Sequence, residues 1–162
     1  MDVDVILAAV DGDRRLRGDA VAEAITGRPV GTEVFAVVAT AGTTNLGIVD
    51  ALDGIADTCA EAGVWLHVDG AYGGAAMAAP SVRERFDGIE RCDSLVVDPH
   101  KWLFSPFDCA ALLYRNPPVA RAAHTQHAGY LAPIIDDTVW NLSLIHISEP
   151  TRQEASRMPS SA

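Results

Sequence analysis

Val64-Trp65-Leu66-His67-Val68-Asp69-Gly70-Ala71-Tyr72-Gly73-Gly74 is the stretch on which the fold turns. Its first half is apolar and rich in β-branched and aromatic side chains, so it reads as a strand buried within a sheet. Asp69 closes that strand, and a glycine-rich turn follows. Ligands of open α/β sheets sit beyond the carboxyl ends of the strands, which is where Asp69 would stand. Alone, Asp69 is equally an ordinary turn residue or a helix cap.

Working outward, the neighbours alternate between strand-like and helix-like character. Val34 to Ala39 is a continuous apolar run, read as a second buried strand feeding the small-residue loop Thr40-Ala41-Gly42-Thr43-Thr44. Asp50 is expected to cap a helix running to about Ala62, with Leu52, Ile55, Ala56 and Cys59 as its buried stripe and Gly63 as its stop. Ser81 is expected to cap a short helix through Phe86, and Ala110 to Tyr114 reads as a strand ended by Asn116-Pro117-Pro118. Towards the N-terminus, Val3 to Ala8 alternates like a short strand and Asp11-Gly12-Asp13 reads as a turn. Arg14 to Arg17 reads as a solvated run, and a helix from Asp19 buries Val21, Ala24 and Ile25 before Gly27. The pattern predicts an α/β fold with a mainly parallel sheet flanked by helices.

A second stretch carries reactivity: Ser94-Leu95-Val96-Val97-Asp98-Pro99-His100-Lys101-Trp102-Leu103. Lys101 is the only lysine in the chain, the rest of the basic residues being arginines. Arginine stays protonated and cannot form a Schiff base, so a chain that avoids lysine yet keeps one suggests a need for a primary amine. Pro99, Trp102, Leu103 and Phe104 are expected to desolvate it in part and favour the neutral, nucleophilic form. A surface lysine lying over a tryptophan is the competing account. The carboxylate of Asp69 near such a lysine suits pyridoxal 5'-phosphate, whose pyridinium nitrogen needs an anionic partner.

Three motifs in order sharpen this: Thr40-Ala41-Gly42-Thr43-Thr44-Asn45-Leu46-Gly47, His67-Val68-Asp69-Gly70-Ala71-Tyr72-Gly73-Gly74, and Asp98-Pro99-His100-Lys101-Trp102-Leu103-Phe104 with Pro106, Asp108 and Cys109 beyond. Together they resemble the group II pyridoxal-phosphate-dependent amino-acid decarboxylases, most closely the aromatic-L-amino-acid and tyrosine decarboxylase branch. The likeness runs from about Asp11 to about Asn141. It implies part of the large cofactor-binding domain of a fold-type I enzyme, a homodimeric cytoplasmic parent, and decarboxylation of an L-amino acid, aromatic by branch, to an amine and carbon dioxide.

The resemblance also implies roles. Lys101 would hold the cofactor covalently and Asp69 would keep its ring nitrogen protonated. Ala71 would pack on the ring face, and Thr44 would bond the ring's 3′-oxygen or the substrate carboxylate. His100 would line the substrate side, although a structural histidine bonded to backbone carries equal weight. Tyr130, followed by Leu131 at the matching separation from Lys101, would protonate Cα from a mobile loop. In the family, the ring-stacking histidine, several phosphate-binding residues and a C-terminal small domain lie outside this stretch. The chain therefore reads as a fragment, inactive alone. Asp98 stands where some relatives carry asparagine, and its role stays open. A non-catalytic α/β piece, an aldehyde synthase and an aminotransferase remain as alternatives.

Composition bounds the rest. The 162 residues are 49% hydrophobic and 21% charged, and fit one α/β unit, residues 1–141. A net charge of −10 with no basic patch argues against nucleic acid and anionic membrane surfaces as partners, and the resemblance implies a small amino-acid substrate. Cys59, Cys92 and Cys109 lack metal-ligand spacing, and His124 with His127 lacks further ligands, so no metal is expected. The absence of a secretory signal or long apolar run makes a cytoplasmic setting the default. Residues 142–162 begin with Leu142-Ser143-Leu144-Ile145-His146-Ile147, resemble the translation of a sequencing-library adapter, and are expected to be a disordered non-native tail.

Overall fold

The computed structural model describes residues 3–125, and the chain divides into two units, Met1–Arg115 and Asn116–Ala162. The first unit is built on a sheet in the order β1-β2-β3-β4, comprising β1 (Ala36–Thr40), β2 (Trp65–Asp69), β3 (Ser94–Val97) and β4 (Ala111–Tyr114). β1 with β2 and β2 with β3 run parallel, whereas β4 returns antiparallel to β3. The expected mainly parallel sheet is therefore present. Between β2 and β3 the chain makes three short 3-10 turns, at Gly73–Ala78, Arg83–Phe86 and Ile89–Arg91.

Helix α1 (Gly18–Thr26) packs on α2 (Leu52–Ala62), which covers one face of the sheet. The stripe read from the sequence is the one buried: Leu52, Ile55, Ala56 and Cys59 meet Ala39, Leu66 and Val68 in a common core. Gly63 ends α2 in the left-handed conformation at φ 66°, which favours a residue without Cβ. Burial pushes the Cys59 thiol up to about 11, with the charge of Asp93 adding to the effect, so this cysteine is an inert core residue.

Several local expectations give way. Val3 to Ala8 forms no strand, because no neighbour among the described residues takes up its backbone groups; Val3, Val5, Ile6 and Leu7 are exposed, and an isolated bridge joins Val10 to Leu16. Arg15 is not simply solvated, since its Nε donates to the Val49 carbonyl at 3.0 Å. Ser81 caps nothing; the turn over Arg83–Phe86 starts after Val82 and lacks a side-chain cap. In the second unit a helix, α3 (Pro117–His124), follows Asn116, with proline in its first turn where the missing N–H costs nothing.

Asp50 is the most informative departure. It does not cap α2, whose N-cap position is Ala51 and whose first turn has no side-chain cap. Instead the buried carboxylate accepts two backbone N–H groups, Leu16 on Oδ1 at 2.8 Å and Thr40 on Oδ2 at 2.7 Å. One side chain thus joins the approach to α1 to the end of β1, and tertiary partners outcompeted the local cap. Hydrogen bonds to a charged acceptor contribute roughly 1.5–3 kcal/mol each, and orphaned buried N–H groups cost more. Asp50→Ala is expected to destabilise the protein by about 3 kcal/mol or more, and Asp50→Asn by about half as much, in urea unfolding followed by circular dichroism. A loss within about 0.5 kcal/mol for Asp50→Ala would mean that water replaces the carboxylate at no cost.

Candidate functional site

The parallel ladder ends with Thr40, Asp69 and Val96 in register, so three loops leave the sheet at one level. Two bonds prolong the ladder beyond the strands: Ala41 N–H donates to the Asp69 carbonyl at 2.7 Å, and Gly70 N–H to the Val96 carbonyl at 3.0 Å. The loop after β1 then meets the loop after β2 backbone to backbone. A Cβ on Gly42, at φ 99°, would lie 2.6 Å from the Gly73 Cα, and one on Gly73 would lie 2.5 Å from the Gly42 Cα. Only two glycines can cross there, and the Gly73 N–H donates to the Gly42 carbonyl at 3.2 Å. The first two sequence motifs are thus one structural feature.

The third motif joins through a continuous bonded path. Asp69 Oδ1 accepts from the Ala71 N–H at 3.0 Å, the Ala71 carbonyl accepts from the Asp98 N–H at 3.3 Å, and Asp98 Oδ2 lies 2.7 Å from Lys101 Nζ. Lys101 N–H also closes a turn onto the Asp98 carbonyl at 3.0 Å, with Pro99 at the second position that proline favours. Asp69, Ala71 and Lys101 are therefore brought together. The Lys101 side chain is half-buried, at 35% exposure, and pairs with Asp98, while Trp102, Leu103 and Phe104 keep much of their own surface exposed. Trp102 turns onto Tyr72, edge to face at 5.3 Å.

His100 bonds the backbone, its Nδ1 lying 2.6 Å from the Cys109 carbonyl oxygen, with its ring edge-on to Phe107 at 5.2 Å. Thr44 is exposed, and no hydrogen bond among the described residues ties it to Lys101 or Asp69; its neighbour Thr43 accepts the Ile48 N–H through Oγ1 at 3.1 Å. Tyr130, His127 and residues 142–162 lie outside the described residues. Asp98 was left without a role by sequence reasoning, although its signal was present: a proline in the second position of a four-residue turn sets the first and fourth side chains close together. A cavity of about 570 Å³ flanks the site, lined by Tyr72, Gly73, Ala76, Phe86, Trp102 and Leu103 among others, but neither Lys101 nor Asp69 lines it. It is a neighbour of the chemistry, not its container. No group of three or more candidate metal ligands occurs among the described residues.

The donor set can be tested against an aldehyde-bearing pyridine cofactor. A primary amine and a carboxylate stand on the same sheet edge, one bonded path apart. The second Asp69 oxygen accepts no hydrogen bond among the described residues, leaving it open to a ring N–H. These groups fit pyridoxal phosphate. The family model for the pyridoxal-dependent decarboxylase conserved domain matches residues 1–154. The chain belongs to that family. Pyridoxal phosphate is its cofactor, and the sheet flanked by helices is the corresponding α/β domain.

Among its relatives, the aromatic-L-amino-acid decarboxylase of Bacillus atrophaeus is 49% identical over 89 residues, covering 55% of this chain and 18% of that protein. The cysteine sulfinic acid decarboxylase of Rattus norvegicus is 43% identical over 115 residues, or 70% of this chain and 23% of the relative. The crystal structure of Rhodiola rosea 4-hydroxyphenylacetaldehyde synthase superposes with a TM-score of 0.64 at 36% identity, covering 68% of this chain and 24% of that one. The chain therefore spans about a quarter or less of these family members.

The Gly42–Gly73 crossing yields a direct expectation. In a full-length protein carrying this chain, Gly73→Ala should force the two loops apart and weaken pyridoxal phosphate retention at least tenfold. Cofactor absorbance after gel filtration at graded ligand concentration measures this. Retention equal to wild type would show that the crossing does not shape the cofactor site.

Proposed function

We propose that the protein to which this chain belongs decarboxylates an L-amino acid, aromatic in side chain, to the corresponding amine and carbon dioxide. The single observation that supports this best is the bonded path from Asp69 through Ala71 and Asp98 to Lys101, which sets an amine and a carboxylate on one ligand-binding edge. The cofactor, when bound, supplies an electron sink for the pair left when the Cα–carboxylate bond breaks. Lys101 would hold it through Nζ and later displace the product amine. Asp69 would keep the ring nitrogen protonated through its open oxygen. Ala71 would leave room for the ring face, its small side chain offering little bulk next to a backbone bonded to both Asp69 and Asp98. Thr44 would bond the ring's 3′-oxygen or the substrate carboxylate, and His100, anchored through Nδ1, would line the substrate side. Tyr130 would deliver a proton to Cα as general acid. A homodimeric, cytoplasmic parent is part of the same proposal, as is a non-native tail from residue 142. No helix among the described residues is long and apolar enough to cross a membrane.

Other substrates and outcomes have support of their own. The relatives' names include a cysteine sulfinic acid decarboxylase and an L-aspartate decarboxylase, which favours an acidic amino acid as a second reading of the substrate. The likeness to an aldehyde synthase makes the fate of the intermediate a second question. Products from a panel of aromatic and acidic L-amino acids would decide the first.

The assignments of Lys101 and Asp69 are checked in one preparation. Borohydride reduction followed by peptide mapping should place the pyridoxyl group on Lys101, and a label on another amine would discard the reading. Asp69→Asn should still bind the cofactor, more weakly, while turnover nearly disappears, because a neutral amide cannot hold the ring proton. Near-normal turnover rules the role out.

Tyr130→Phe should keep cofactor binding and carbon dioxide release but lose amine formation by roughly 10²–10⁴-fold, the usual value of general acid catalysis. Under air, aldehyde and ammonia should replace much of the amine. Mass spectrometry of the products reads this, and an unchanged amine rate would make Tyr130 an ordinary loop residue.

A further inference from the structure

The cavity beside the site plays no part in the proposed chemistry, yet it has the makings of a ligand site. Its volume of about 570 Å³ suits a small organic molecule. The lining is aromatic and small. Tyr72 and Trp102 meet edge to face at 5.3 Å, Phe86 is buried, and Gly73, Ala75 and Ala76 let a flat body come close to the backbone. The polar groups of this lining are uncommitted. No hydrogen bond or ion pair among the described residues engages the Arg85 guanidinium, the Ser81 hydroxyl or the Tyr72 hydroxyl. Arg85 differs in this from its neighbours: Arg83 donates through Nε to the Met77 carbonyl at 3.2 Å, and Arg91 pairs with Asp53 and Asp57. Among the described residues, no other charged side chain lines the cavity. Arg85 also borders a second cavity of about 540 Å³, but Asp13, Asp53, Glu84 and Asp87 line that one. Their charges repel an anion, so an anion reaches Arg85 from the apolar side.

We propose that this cavity binds a flat apolar carboxylate, an aromatic acid without an amino group, at a site separate from Lys101 and Asp69. Arg85 supplies the charge, since a planar guanidinium matches a carboxylate with two parallel hydrogen bonds. The hydroxyls of Tyr72 and Ser81 add two further donors to the same lining. The aromatic and alanine walls take the ring of the ligand out of water, which supplies the larger share of the affinity. No acidic side chain lines the cavity to receive an ammonium group. An amino acid would leave that charge unpaired against apolar walls, so it fits less well than an acid that lacks the amine. The occupant is therefore not the amino acid of the proposed reaction, and the site does not depend on the roles given to Lys101 and Asp69.

The test uses a full-length protein carrying this chain, loaded with pyridoxal phosphate, and 2-naphthoate as the probe, with binding read by titration calorimetry. One equivalent should bind with a dissociation constant of about a millimolar or tighter. 2-Naphthamide keeps the rings and loses the charge, and should bind about fivefold more weakly, as expected when a solvent-exposed ion pair is removed. Arg85→Gln should weaken naphthoate by the same factor and leave naphthamide unaltered. Ala79→Trp, at an exposed position of the lining, should fill the space and weaken both probes by about tenfold or more. Cofactor absorbance should stay constant throughout. Absence of saturable binding to wild type overturns the proposal, which is the result expected if another part of the polypeptide already fills the cavity. Equal affinity for naphthoate and naphthamide overturns it too, and that comparison needs no variant to fold. So does naphthoate binding that neither substitution alters. Release of cofactor as naphthoate binds would put the probe at the Lys101 and Asp69 edge and end the case for a separate site.

Discussion

Everything that concerns chemistry in this chain depends on three parallel strand ends held level. Thr40, Asp69 and Val96 share a register, and the ladder continues one bond further, from Ala41 to Asp69 and from Gly70 to Val96. A parallel ladder cannot slip by one residue without sending the core side chains Ala39, Leu66 and Val68 to the other face. Hydrophobic burial against α2 therefore sets the height at which Asp69 emerges. The position of the Asp69 carboxylate is fixed here by the packing of the alanine, leucine and valine beside it in the sheet.

Two polar devices transmit that register to the loops. Asp50 binds the end of β1 to the segment before α1, so the first motif starts from a fixed point. Beyond it, the glycine crossing at residues 42 and 73 lets two backbones touch, and the bonded path through Ala71 and Asp98 carries the alignment on to Lys101. Each step is a backbone contact or a short side-chain bond. The site consequently owes little to the exposed residues around it, and Trp102, Leu103 and Phe104 leave their apolar surface uncovered in this chain.

Family membership and cofactor follow from the whole pattern, whereas the substrate does not. The relatives named above act on aromatic and on acidic amino acids, and what distinguishes those substrates is not contained in the strand-end geometry that they share with this chain.

Much of this was legible in the sequence for physical reasons. The stripe of α2 and the stop at Gly63 are local patterns whose period or backbone preference speaks for itself, and the apolar runs mark β1 and β2 as strands, although Phe35 and Val38 in the first run are exposed where a buried strand was expected. The motif residues Asp69 and Lys101 could be singled out because their chemistry is scarce: a solitary amine, and a carboxylate at a strand end. The tertiary structure alone decided which partners those groups would have. Asp50 looked like a cap and became a tie between distant segments, because the part-buried N–H groups of Leu16 and Thr40 took its carboxylate in place of the start of α2. Val3 to Ala8 alternated like a strand and stayed unpaired, because a strand exists only where a neighbour accepts its bonds. Lys101 was expected to be partly desolvated, and it is half-buried; what the sequence did not name is its partner Asp98, which a proline turn brings close by setting its first and fourth residues together. Periodicity and residue chemistry are written along the chain; the identity of a bonding partner is a matter of distance in space, which only the folded chain supplies.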